Sequence, residues 1–370
     1  MTGEGAGRIP LFDAFRAVNV FIVVSLHAAM TYMPYVPPWW YVIDDQKGLP
    51  FLIWVLLTDT FPMPALFFLS GYFAPASLLK RGRGAFLRDK ALRIGLPWIA
   101  GVLLFAPLFA RASWQSLDLP LPERYGAFLT TIWLGPGYQQ AHFWFLGVLL
   151  ALFVLYSLSG PASGGYRRVT VMPTTALAFW WLTATAAFFL VSLRWEPNLW
   201  IPLGPLFFQP ARIISYLGAF WLGVCAWQDR WLQRPIGKRD LILSGLMALG
   251  CALALLAVTL SFPPGGGALA KFLQAAAHNG AALALGLLLF HLCHRFLPTG
   301  PSTLWRRLGE ASYGIYWLHQ MIAMPLAAFL LPVDLPSGVK FALVLVGGWG
   351  ISALLTEFVL RRFPLLKKIF

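Results

Sequence analysis

The chain has 370 residues, of which 59% are hydrophobic and only 11% charged. A soluble domain carries about 25% charged residues, so a water-facing surface is excluded and lipid must cover most of this one. The net charge of +14 does not point to nucleic acid, because the basic residues sit in short clusters between apolar runs, as in membrane proteins.

Apolar runs of about 20 residues cross a bilayer. They fall at Leu11–Met33, Phe51–Leu79, Ala91–Phe109, His142–Leu158, Met172–Leu193, Pro210–Trp227, Leu241–Phe262, Phe272–Leu297, Ala311–Leu331 and Gly338–Leu360. The expected fold is all-α: a polytopic integral membrane bundle of about ten transmembrane helices, forming one domain over residues 1–370. The first run reads as a retained span, not a cleaved signal peptide. The second contains Pro62, Pro64, Gly71 and Pro75 and should be kinked or broken, which lipid tolerates only against protein or a cavity. Cys225, Cys251 and Cys293 form no CxxC or Cys/His spacing, so neither a disulfide framework nor a structural metal is expected.

The connections alternate in charge. Lys80, Arg81, Arg83, Arg88, Lys90 and Arg93 separate the second and third spans. Arg167 and Arg168 follow the fourth; Arg230, Arg234, Lys238 and Arg239 the sixth; Arg295, Arg306 and Arg307 the eighth; and Arg361, Arg362, Lys367 and Lys368 the tenth. The remaining connections are nearly balanced. Both termini are therefore expected in the cytoplasm of a multi-pass cell-membrane protein. The opposite loops, as in Tyr35–Trp40 and Trp195–Phe208, are rich in Trp, Tyr and Pro. They read as an interfacial aromatic belt or as a platform for carbohydrate.

The first span contains Asp13, Arg16, Asn19 and His27. At about 100° per residue, Arg16 and His27 lie about 20° apart in azimuth and about 16 Å apart along the axis. Asp13 and Thr31 fall on the same side. Ionisable groups in a span are costly and usually functional, so this stripe should face the protein interior or a wet cavity. Arg16 reads either as a snorkelling arginine near the cytoplasmic end, paired with Asp13, or as a functional group. His27 lies deep, and an imidazole there suits proton transfer. His278, His291 and His294 read as packing or interfacial groups, and Glu357–Arg361 as a structural pair.

Five segments carry a family resemblance: FDAFRAVNVFIVVSLHAAM at Phe12–Met30, FFLSGYF at Phe67–Phe73, FLRDKALRIGLP at Phe86–Pro97, HFWFL at His142–Leu146 and SYGIYWLH at Ser312–His319. In this order they resemble the acyltransferase 3 family of membrane O-acyltransferases, whose Arg-x10-His motif is matched by Arg16 and His27. LSGYF, RIGLPW at Arg93–Trp98 and EFVLRRFPLLKKIF at Glu357–Phe370 resemble members associated with succinylating periplasmic glucans.

The resemblance implies an enzyme that moves an acetyl or succinyl group from cytoplasmic acyl-CoA to a hydroxyl of an extracytoplasmic glycan, in a bacterial inner membrane. His27 would be the general base or a covalent acyl carrier. Arg16, Arg88 and Arg93 would hold the nucleotide phosphates. Ser70, His142 and His319 would support the site together with Asp13. No metal is expected. Ending at Phe370 without an added esterase-like domain, the chain would build its acceptor site from the membrane domain and its loops. The readings from other classes are a secondary transporter or flippase for a glycan or small polar solute, and a membrane sensor or scaffold. A reporter fused after Phe370 is expected to signal from the cytoplasm; a signal from the outer face would contradict the charge count.

Overall fold

The computed structural model describes residues 10–159, 173–233, 236–262, 266–297, 302–364 and 366–370. Arg167, Arg168, Met172 and Arg234 lie outside them. The described helices are α1 (Pro10–Met30), α2 (Leu49–Thr58), α3 (Pro62–Arg81), α4 (Arg83–Lys90), α5 (Leu96–Leu104), α6 (Ala106–Ser116), α7 (Tyr125–Phe128), α8 (Trp144–Ser159), α9 (Thr174–Arg194), α10 (Pro210–Gln228), α11 (Lys238–Ser261), α12 (Ala268–Phe296), α13 (Thr303–Leu330) and α14 (Ser337–Leu355). A small hairpin, β1 (Ile201–Leu203) with β2 (Leu206–Phe208), turns at Gly204, whose φ of 56° suits glycine.

The second span is broken as expected. Pro62 and Pro64 lack the N–H groups that would bond the carbonyls of Thr58 and Thr60, so α2 ends and α3 starts afresh. The third is subdivided too: a π-helical turn at Ala91–Gly95 joins α4 to α5, and α5 breaks from α6 at Phe105, two residues before Pro107.

Eight helical segments are long and apolar enough to cross a membrane. They occupy the expected places of every span but the sixth and ninth. Those places hold α10, with 19 residues, and α13, with 28. Both are long enough to cross but more polar, because they place Arg212, and His319 with Gln320, inside the bundle. Helix directions show that both cross. Asn19 bonds Pro62 while Phe12 touches Tyr72, so α1 and α3 are antiparallel. Asp59 meets Arg212, Phe67 meets Tyr216 and Gly71 meets Phe220, so α3 and α10 are parallel. Arg16 meets Gly309 and His27 meets His319, so α1 and α13 are parallel. Gly314 meets Thr356 and Gly348 meets Ala323, so the tenth span returns antiparallel to α13. Ten alternating crossings satisfy all four relations.

α1 is the central helix. It packs against α2, α3, α12, α13 and α14, and 67% of its apolar stretch is buried, against 17% for the rim helix α11. The tightest crossing is α3 on α10. A Cβ on Gly71 would fall 1.9 Å from the Phe220 carbonyl oxygen, and one on Gly223 2.0 Å from that of Phe68. Small residues let membrane helices approach this closely. Gly71→Ala is expected to destabilise the fold by about 1–3 kcal/mol, read as a lower thermal midpoint in detergent. Gly250→Ala on α11, where nothing lies within 4 Å, should leave it nearly unchanged.

Candidate active site

The polar stripe of α1 faces α13. At its inner end Arg16 Nη1 donates to the Gly309 carbonyl at 3.5 Å. Gly309 must be glycine there, because a Cβ would fall 2.6 Å from that of Asp13, which is itself buried. At the outer end His27 Nδ1 lies 2.8 Å from His319 Nε2. The two imidazoles are stacked, with centroids 5.0 Å apart. A third, His142, lies 4.8 Å from His319.

Hydrogen-bond chemistry assigns the protons. A carbonyl oxygen only accepts, so His319 Nδ1, 2.6 Å from the Tyr316 carbonyl, carries a hydrogen and donates it. In the neutral ring Nε2 is then a lone pair, and it accepts from His27 Nδ1–H. His27 Nε2 is left unprotonated. His319 is fully buried, whereas His27 keeps partial exposure. Phe21, the exposed residue of the α1 midsection, lies about 120° round the helix from His27.

His142 enters through a turn at Ala141, whose φ of 48° is a strained value for a residue with a Cβ. Its Nδ1 lies 2.9 Å from Gln320 Oε1 and its Nε2 3.2 Å from the Trp317 carbonyl, while Tyr316 O–H donates to the His142 carbonyl. Both ring nitrogens are thus engaged with α13.

Trp40 roofs the cluster, stacked 5.7 Å from His27 at 14°. Around it stand Tyr41, Trp39, Trp200 and Trp144, in ring contact one with the next, with Phe207 stacked on Trp200. These aromatic rings come from the outer loops and the start of α8.

At the inner end α13 also ties down the third span, where Tyr313 O–H donates to the Arg93 carbonyl and Trp317 to that of Pro97. The Arg93 side chain pairs with Asp89 at 3.2 Å, as does that of Arg81 at 2.6 Å. Arg88 is exposed and has no hydrogen-bond or ion-pair partner among the described residues. Arg16 is deeper than its sequence position implied. α3 continues nine residues past Tyr72, the neighbour of Phe12, so Arg81 lies about 13 Å below that level.

Ser70 does not join the cluster. From the Asn19–Pro62 contact, Ser70 lies eight residues inward along α3 and His27 eight outward along α1, roughly 20 Å or more apart along the helices. Its hydroxyl donates to the Leu66 carbonyl at 2.8 Å, and the neighbouring glycine makes the helix crossing. His278 packs on Phe188, His291 bonds Ser244, and Arg361 joins Glu357 and Glu310.

Two ion pairs with a buried cation were not read as sites. Arg212 bonds Asp59 Oδ2 at 2.7 Å, the Asp59 carbonyl at 3.3 Å and Asn198 at 3.2 Å, filling the break between α2 and α3. Lys340 meets Asp44 at 2.9 Å. The signal was present: both cations lie inside expected spans, where an ionisable group is functional by default.

The bundle is that of a polytopic membrane protein, and its family match makes it an acyltransferase. The chain belongs to the family whose model is described as an acyltransferase domain, matched over residues 9–357. Its relatives include glucans biosynthesis protein C of Salmonella paratyphi B, 23% identical over 394 residues, covering 100% of this chain and 96% of the relative. The same protein of Salmonella heidelberg matches at 23% over 393 residues with the same coverage.

The proton assignment has a spectroscopic test. In 15N-histidine NMR of the protein at neutral pH, Nε2 of both His27 and His319 is expected to be pyridine-type, and Nδ1 of both pyrrole-type. The reverse assignment at His27 would remove its free lone pair.

Proposed function

We propose that this single membrane domain transfers an acetyl or succinyl group from acyl-CoA, bound at the cytoplasmic side of a bacterial inner membrane, to a hydroxyl of an extracytoplasmic glycan such as a periplasmic glucan. The observation that carries this reading is the His27–His319 pair, a base held by an orienting partner at a partly accessible point on the central helix.

His27 Nε2 takes the proton of the acceptor hydroxyl as its oxygen attacks the thioester carbonyl. The C–O bond forms, the C–S bond breaks, and the imidazolium returns the proton to the departing thiolate. His319 accepts from the other side of the His27 ring and stabilises the cation that forms, as the third group of a catalytic triad does. His142 acts through α13, fixing the stretch that carries His319.

Arg88, with no ion-pair partner of its own, and Arg93 take the nucleotide phosphates, for which the guanidinium fork is suited. Arg16, backed by Asp13, marks the inner end of the donor's route, which runs beside the closed α1–α13 seam. The pantetheine arm runs outward from there to His27. The aromatic roof supplies flat apolar faces for a sugar ring. The family match and the glucan-related names of the relatives support this donor and acceptor class.

Purified protein with labelled acyl-CoA and a glucan oligosaccharide is expected to label the glucan. No consumption of acyl-CoA, with movement of solute across liposomes carrying the protein, would overturn the enzyme reading. His27→Ala should lower turnover by about 10²–10⁴-fold with the fold retained but a lower thermal midpoint, because His319 Nε2 loses its donor. His319→Gln, which keeps an acceptor for His27 Nδ1–H, should retain more activity than His319→Leu.

A further inference from the structure

Lys340 and Asp44 are 1% and 3% exposed, and their charged atoms meet at 2.9 Å. Lys340 opens the last span; Asp44 belongs to the loop that follows α1. A buried ion pair contributes little net stability, because desolvating both charges offsets their attraction. Its value lies in the geometry it fixes.

That geometry leads to His27. Lys340 also donates to the Leu331 carbonyl just after α13, so it joins the loop to the α13–α14 corner. Asp44 N–H donates to the Thr31 carbonyl, and Asp44 Oδ1 accepts from Gln46 N–H. The loop closes where Gly48 N–H meets the Tyr32 carbonyl. Thr31 Oγ1 accepts from Trp40 Nε1 at 3.3 Å, and the Trp40 carbonyl accepts from Ser116 of α6. Trp40, 1% exposed, is thereby laid on His27.

We infer that Asp44 and Lys340 are positioning residues: their ion pair ties down an outer lid, residues 31–48, that holds Trp40 against His27 and sets the direction from which an acceptor hydroxyl meets the ring. The catalytic part of this inference rests on the acyl-transfer reading; the tether itself does not.

The test uses full-length protein and two readouts. One is the rate at which diethyl pyrocarbonate modifies His27, located by peptide mass. The other is acyl transfer, with kcat and donor KM measured separately. Asp44→Asn/Lys340→Met removes the tether without leaving an orphan charge. It is expected to raise His27 modification and to lower kcat, each by about tenfold, with donor KM unchanged, because small misplacements of a reacting group carry losses of that order. Lys340→Arg should restore both readouts to near the wild type. Thr31→Val, which removes only the Trp40 side-chain bond, should move both in the same direction as the double variant.

Unchanged His27 reactivity in the double variant overturns the tether. Raised reactivity with full transfer overturns the positioning role. A wild type that transfers nothing overturns the acyl-transfer reading instead, and His27 reactivity still decides the tether.

Discussion

In a bilayer no water takes up a polar group that the protein leaves unmatched, so each one carried inward needs a partner on another helix. The seam between α1 and α13 concentrates that demand. Arg16 is answered by the Gly309 carbonyl and His27 by His319, on two helices that run in the same direction. Much of the remaining architecture follows. Gly309 has no side chain because Asp13 occupies the space. α1 is surrounded by five helices, with its polar stripe turned to α13 rather than to lipid. Tyr316, Trp317 and Gln320, neighbours of His319 on α13, are committed to the start of α8 and to the third span, so the helix carrying the second imidazole is fixed from three sides.

The same demand explains why hydropathy and topology disagree at two helices. α10 and α13 fall short on apolar composition, yet both cross, as the contact directions require. A rim helix such as α11 must be apolar because lipid surrounds it. An interior helix is solvated by its neighbours and can carry Arg212 or His319. Low hydropathy in a long helix of a polytopic protein is therefore a pointer to the interior, and here it points at the site.

This sets what the sequence could reveal. The spans and their alternation were legible because lipid imposes apolar length and the cytoplasm imposes charge. The first-span stripe was legible because helical periodicity places Asp13, Arg16 and His27 on one side. Partnerships across the fold were not. Nothing in the sequence says that His142, at the opening of one span, lies against His319 in the middle of another, 177 positions further along the chain. The depth of Arg16 depends on how far α3 extends past Phe12, a tertiary fact. Ser70 stood next to a motif glycine, and the structure gives the glycine the work of the helix crossing. That Lys340 meets Asp44 was not legible either, because the two lie 296 positions apart in the chain.

On the acyl-transfer reading, the site is asymmetric across the membrane, and the asymmetry matches the chemistry of the two reactants. His27 lies three residues from the outer end of α1, about 5 Å along the axis, but eleven from Arg16, about 16 Å. A reactant from the outer side has a short approach, limited by the aromatic roof rather than by depth. One from the inner side must send a slim arm along a helix seam while its charged head stays behind among arginines. A nucleotide on a pantetheine tether has that shape, with its reactive thioester at the far tip. A bulky glycan does not, and is suited only to the outer approach. On that reading, the position of one imidazole along one helix suits two reactants that approach from opposite faces.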